Sequence, residues 1–175
     1  DTERNATQFS EALESALESE LIVDAVIAQS TTQRDGLWAI REDIEGLVKG
    51  LAPVLPFDVS LPIADMQRYT NALEAQLTQR WAEAKLVVFG HLGDGNLHIS
   101  VSVGSAEIEV RREVEAMVYQ PLATLGGSVS AEHGIGLEKR PWLATCRSSA
   151  EIELMHTLKQ ALDPHRLLNR GKILS

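Results

Sequence analysis

Leu86-Val87-Val88-Phe89-Gly90-His91-Leu92-Gly93-Asp94-Gly95-Asn96-Leu97-His98-Ile99-Ser100-Val101-Ser102-Val103 sets two β-prone runs around a glycine-rich turn. The run from Leu97 to Val103 alternates apolar and polar residues, the pattern of a half-buried strand. Asp94-Gly95 between two such runs is a strong hairpin signal, so the clearest strand pair is antiparallel. Helical periods flank it on both sides. Phe9, Leu13 and Leu17 predict a helix over about residues 6 to 20, and Leu37, Ile40, Ile44, Leu47 and Val48 a second one stopped by Gly50. Met66, Tyr69, Leu73 and Leu77 predict a third, and Val110, Val114, Met117, Val118 and Leu122 a fourth. Ser148 with Glu151 is a capping box opening a last helix with Leu154, Leu158, Ala161 and Leu162 inside, stopped by Asp163-Pro164. Shorter strands are expected at Leu21–Ala28, at Phe57-Val59-Leu61 and around Val129. The fold class is α+β, with helices packed on a small antiparallel sheet.

The chain of 175 residues suffices for one domain with a real core. Its net charge of −9 argues against a nucleic-acid surface, which needs a basic stripe. No apolar run approaches the ~20 residues of a membrane span. The polar opening is not that of a signal peptide, and the single Cys146 rules out an internal disulfide and suits a reducing cytoplasm. The chain starts at Asp1 without an initiator Met, as a piece of a longer protein would.

Chemistry gathers in two places. His91 and His98 bracket the hairpin turn, and a hairpin can bring such a pair face to face. Glu132 and His133 lie in the glycine-bounded loop Ala131-Glu132-His133-Gly134-Ile135-Gly136. Two imidazoles and one carboxylate make a three-ligand site with an open position, and this donor set suits zinc, manganese or iron. The bland alternative is that two histidines on an arbitrary hairpin are ordinary surface or core residues. Glycine density around them favours close backbone approach to a ligand. Arg41 stands four residues before Glu45 on a predicted helix, a spacing that also suits a surface ion pair. Cys146 is expected as a small buried apolar group, His156 and His165 as structural, and Trp38, Trp81 and Trp142 as packing residues.

Five segments in order resemble one known family. Gly90-His91-Leu92-Gly93-Asp94-Gly95-Asn96-Leu97-His98 resembles the signature of the C-terminal domain of FAD-linked oxidases. Leu37-Trp38-Ala39-Ile40-Arg41-Glu42 looks like its LWxIRE segment, Asp58-Val59-Ser60-Leu61-Pro62 like DxSLP, and Ser130–Gly136 like SxEHGIG. Leu162-Asp163-Pro164 and Leu168-Asn169-Arg170-Gly171-Lys172 resemble its LDP…LNPGK ending. The family includes D-lactate dehydrogenase, the glycolate oxidase flavin subunit and D-2-hydroxyglutarate dehydrogenase.

The resemblance implies a ferredoxin-like substrate domain covering residues 1–175, with FAD held mainly by a separate N-terminal domain not in this chain. It implies oxidation of a D-2-hydroxy acid to the 2-oxo acid, with this piece inactive alone; the cytoplasmic location expected rests on the single cysteine. His91, His98 and Glu132 would hold a divalent cation, zinc first and manganese or iron next, as Lewis acid and template. His133 would bind substrate and take the hydroxyl proton, a task for which histidine's titration near neutrality is suited. Arg41 would clamp a substrate carboxylate, and Ser100 would also bind substrate. The hydroxyglutarate branch has Lys where this chain has Pro56, Thr where it has Glu45 and Asn where it has Ser100, so a second substrate carboxylate is less welcome here. Arg170 also replaces the usual Pro of the ending. The electron acceptor and a homodimeric state are left open. Two other readings of the residues are a non-haem iron(II) oxygenase and a non-catalytic ferredoxin-like binding module.

Overall fold

The computed structural model describes residues 2–174. The chain divides into two compact units, residues 1–45 and residues 46–175. The first unit carries α1 (Thr2–Glu18) and α2 (Thr31–Glu42), and α3 (Ile44–Leu51) begins at its end. Ser30 caps α2, its hydroxyl accepting from Gln33 N at 3.2 Å. The second predicted helix is thus two helices. Asp43 breaks it with ψ 63°, a residue whose short carboxylate competes with helical backbone bonding, and Gly50 lies inside α3 rather than ending it.

The expected strand at Leu21–Ala28 is irregular chain, with Leu21, Val23 and Val26 exposed. β-branched residues need a neighbouring strand to pack on, and this run pairs with none among the described residues. Trp38 is also exposed, against its expected packing role.

The second unit is built on β1 (Leu55–Ser60), β2 (Lys85–His91) and β3 (Asn96–Ser102), all antiparallel in the order β1-β3-β2. The β2–β3 hairpin turns through a short 3₁₀ segment, Leu92–Asp94, and Gly95 at φ 68°. A side chain at Gly95 would meet Leu61 O at 2.8 Å, so the turn needs glycine. Leu55, Phe57 and Val59 of β1 and Leu97, Ile99 and Val101 of β3 point to one face and are buried. α4 (Ile63–Arg80) contributes Met66, Tyr69, Leu73 and Leu77 to that core, and α5 (Ile108–Tyr119) contributes Val114, Val118 and Tyr119. Each such side chain is worth roughly 1.5–3 kcal/mol of burial before entropy is charged. Tyr69 Oη donates to Val118 O at 2.9 Å, tying the two helices.

The order β1-α4-β2-β3-α5 is that of a split βαβ unit, the ferredoxin-like plan. Its fourth strand, expected around Val129, is reduced to one bridge between Ser60 and Ser128 on the free edge of β1. The chain then runs through α6 (Leu122–Leu125) and α7 (Leu143–Cys146) to α8 (Ser149–Leu162). The Ser148–Glu151 capping box that opens α8 is formed. Its apolar stripe is not inside: Leu154, Leu158 and Leu162 are exposed. Trp81, Trp142 and Cys146 pack half-buried against the core, as expected of them.

Candidate metal and substrate site

The opposite face of the sheet carries its polar side chains together with Phe89, Val87 and Pro56, and strand alternation decides which residues share it. Asp58 of β1 pairs across to His98 of β3, which pairs with Phe89 of β2. One step along, Ser60 and His91 flank Asn96; one step the other way, Pro56 and Val87 flank Ser100. Asp58, His98, His91, Asn96, Ser100 and Pro56 therefore lie on one surface, backed by the apolar core.

A loop lies against this surface. Asp58 is wholly buried, and its Oδ2 accepts three successive backbone N–H groups, from Ala131 at 3.1 Å, Glu132 at 2.8 Å and His133 at 2.9 Å. Ser130 Oγ donates to Gly134 O at 3.0 Å, and Gly134 and Gly136 turn with φ of 74° and 55°. The result carries Glu132 and His133 to the histidines of the hairpin. Glu132 Oε1 is 2.7 Å from His91 Nδ1 and accepts from Asn96 Nδ2 at 2.6 Å. The His91 and His98 rings meet edge to face at 5.2 Å, and His133 stacks on His98 at 6.1 Å.

One donor atom from each of His91, His98 and Glu132 lies within 4.8 Å of the others. Tetrahedral donors on bonds of ~2.1 Å stand roughly 3.5 Å apart, so this set fits a zinc-like cation after small side-chain adjustment. The electrostatics suit a ligand set. The His91 contact, then the Asn96 one, hold the Glu132 carboxyl below its ordinary range, so it is ionised. Burial pushes the His98 imidazole below its ordinary value, against the opposing pull of Glu132 and Asp58, so it is neutral at pH 7. Burial pulls Asp58 up, but the backbone N–H groups of His133 and Glu132 and the Lys139 ammonium outweigh it, and the carboxyl stays charged. Lys139 itself is driven below the usual lysine range by burial, with Asp58 opposing.

The structure thus brings together His91, His98, Glu132 and His133, with Ser100 two residues along β3 from His98. Arg41 lies in the last turn of α2, in the first unit. His156 and His165 are exposed and line a cleft of about 500 Å³ with Lys159, Arg166, Arg170 and Lys172, apart from the cluster. Sequence reading passed over Asp58, Asn96, Ser130 and Lys139 as site residues. One signal was available: the alternation Phe57-Asp58-Val59 puts a charge on the face opposite the core.

The chain is 40% identical over 169 residues to a D-2-hydroxyglutarate dehydrogenase of Xanthomonas citri pv. viticola, covering 93% of this chain and 35% of that protein. It is 32% identical over 179 residues to a D-2-hydroxyglutarate dehydrogenase of Stutzerimonas stutzeri, covering 99% and 38%. A mitochondrial D-2-hydroxyglutarate dehydrogenase of Rattus norvegicus is 37% identical over 171 residues, covering 97% and 31%. The chain spans about a third of the length of these curated relatives. The profile described as FAD linked oxidases, C-terminal domain, matches residues 1–173, and the chain belongs to that family.

Proposed function

We propose that this chain is the substrate- and metal-binding part of an FAD-dependent dehydrogenase that oxidises a D-2-hydroxy acid to the 2-oxo acid. The observation that carries the reading is the convergence of His91, His98 and Glu132 within 4.8 Å on one sheet face, with His133 beside them. The relatives named above as D-2-hydroxyglutarate dehydrogenases point to the same reaction class. FAD is assigned to a part of the protein beyond this chain. When bound, the cation would supply a Lewis acid that makes the 2-hydroxyl more acidic, and FAD would supply the hydride acceptor.

The residues of this chain do the rest. His91, His98 and Glu132 hold the cation. His133, 68% exposed and free to reach a ligand, takes the 2-hydroxyl proton on its imidazole. The β2–β3 hairpin carries His91 and His98, and the hydrogen bonds that the backbone of Glu132 and His133 donates to Asp58 hold the loop. These groups are therefore placed before substrate arrives, which lowers the cost of orienting them. Arg41 is assigned the substrate carboxylate by its motif alone, and its planar fork suits that group. Pro56 and Ser100 face each other across β1 and β3 on the site side of the sheet. Neither offers a cation, so monocarboxylates such as D-lactate should compete well with D-2-hydroxyglutarate.

The test uses the full-length protein under anaerobic conditions. Mixing with D-lactate, glycolate or D-2-hydroxyglutarate should bleach the flavin absorbance, and L-enantiomers should not. Flavin left oxidised by every 2-hydroxy acid would end the reading. A strong preference for the dicarboxylate would retain the reaction class and overturn the Pro56 argument.

A further inference from the structure

Asp58 is buried, ionised and outside the donor set, and burying a charge is costly unless each oxygen is compensated. Oδ2 has ample compensation. Besides the three N–H groups of the 131–133 segment, Lys139 Nζ lies 3.7 Å from it and donates to Asp58 O and Ser130 Oγ, each at 3.1 Å. Oδ1 is different. It is buried with no hydrogen-bond partner, and His98 Nδ1 stands 3.8 Å away across the Asp58–His98 pair. That separation is too long for a hydrogen bond and short enough for a ring adjustment of under an ångström to make one.

An imidazole has two nitrogens, and the partner of one decides which tautomer offers the other to a cation. A carboxylate can only accept. We infer that Asp58 is the positioning residue of this site: Oδ2 fixes the backbone carrying Glu132 and His133, while Oδ1 takes the Nδ1–H of His98 and leaves Nε2 for the cation. One side chain then sets the hairpin donor and the loop donor against each other. The inference rests on the proposed metal centre and adds the group that orients it. Lys139 completes the arrangement by placing a cation 3.7 Å from Oδ2, which offsets the buried charge while Oδ1 faces His98.

The experiment uses full-length protein labelled with ¹⁵N-histidine and loaded with zinc, with His98 resonances assigned from a His98→Gln sample. A two-bond ¹⁵N–¹H correlation spectrum should show the His98 proton on Nδ1 and the metal-shifted nitrogen at Nε2. Asp58→Asn presents an amide donor where an acceptor is needed. In a chelator competition its Kd for zinc should rise 10–100-fold, and the Nδ1 proton signal should be lost. Should Asp58→Asn fail to fold, the wild-type spectrum alone decides. A proton on Nε2 in zinc-loaded wild type, or unchanged zinc affinity and tautomer in a folded Asp58→Asn, would overturn the inference and leave the metal centre standing. No zinc uptake by wild type would overturn both.

Discussion

Glu132 and His133 are consecutive, yet the site uses them differently: Glu132 turns to His91 at 2.7 Å, and His133 stacks on His98 at 6.1 Å. His133→Ala should therefore lower kcat by about 10²–10⁴-fold with metal content retained, as for a lost general base. Arg41→Ala should instead raise KM, since a carboxylate clamp acts on ground and transition states alike. Steady-state kinetics separates them; a KM rise for both with kcat untouched would reduce His133 to a contact. A second residue anchors the C-terminal segment. Asp163 is buried, and Lys159 at 2.5 Å, then the backbone N–H groups of Leu168 and Leu167 at 3.0 Å and 2.8 Å, hold its carboxyl down to about 2. A depressed folded-state value stabilises above the ordinary value of 3.8 and loses that contribution as pH falls toward about 2. The stability gap between wild type and Asp163→Asn in urea melts should be constant above about pH 5 and close as pH approaches about 2. A gap that ignores pH over that window would show that the charge contributes nothing.

The hairpin is the element that the sequence makes most legible, because turn chemistry and strict alternation agree on register. Gly90 shows how tight that register is, since a side chain there would lie 2.2 Å from Asn96 O. Gly90→Ala should cost about 1–3 kcal/mol of stability and weaken metal binding through the adjacent His91, read by thermal melting and metal analysis. A Gly90→Ala protein as stable as wild type would mean that the strands part more easily than this pairing allows. The helices are legible in another sense. Periodicity gives the apolar stripe of a helix but not what covers it. Leu73 of α4 is 2% exposed and Leu158 of α8 is 52% exposed, although both stripes look alike in sequence. In the 175-residue chain, Leu73→Ala should cost about 2–5 kcal/mol and Leu158→Ala no more than about 0.5 kcal/mol. Leu21–Ala28 was illegible for a related reason: β propensity describes residues that suit a sheet and cannot say whether a partner strand exists. Asp58 escaped because its importance lies in burial and in backbone donors 73 to 75 residues away. A motif match locates such a residue without saying what it holds.

As a molecule, the chain has a well-formed sheet core in residues 46–175 and several exposed apolar residues, among them Ile40, Leu154 and Leu162. It spans about a third of relatives named as dehydrogenases, so the proposed reaction belongs to the whole protein. Residues 1–175 expressed alone should fold, show no flavin absorbance and turn nothing over; stoichiometric FAD copurifying with them would place the flavin here instead. The core proposal is that His91, His98 and Glu132 act together as a cation site. Its most direct test is elemental analysis of purified full-length protein beside His98→Ala and Glu132→Ala. The account predicts about one divalent ion per chain in wild type and a near-complete loss in each variant, with flavin content unchanged. A His98→Ala protein with full metal content and full activity would contradict it.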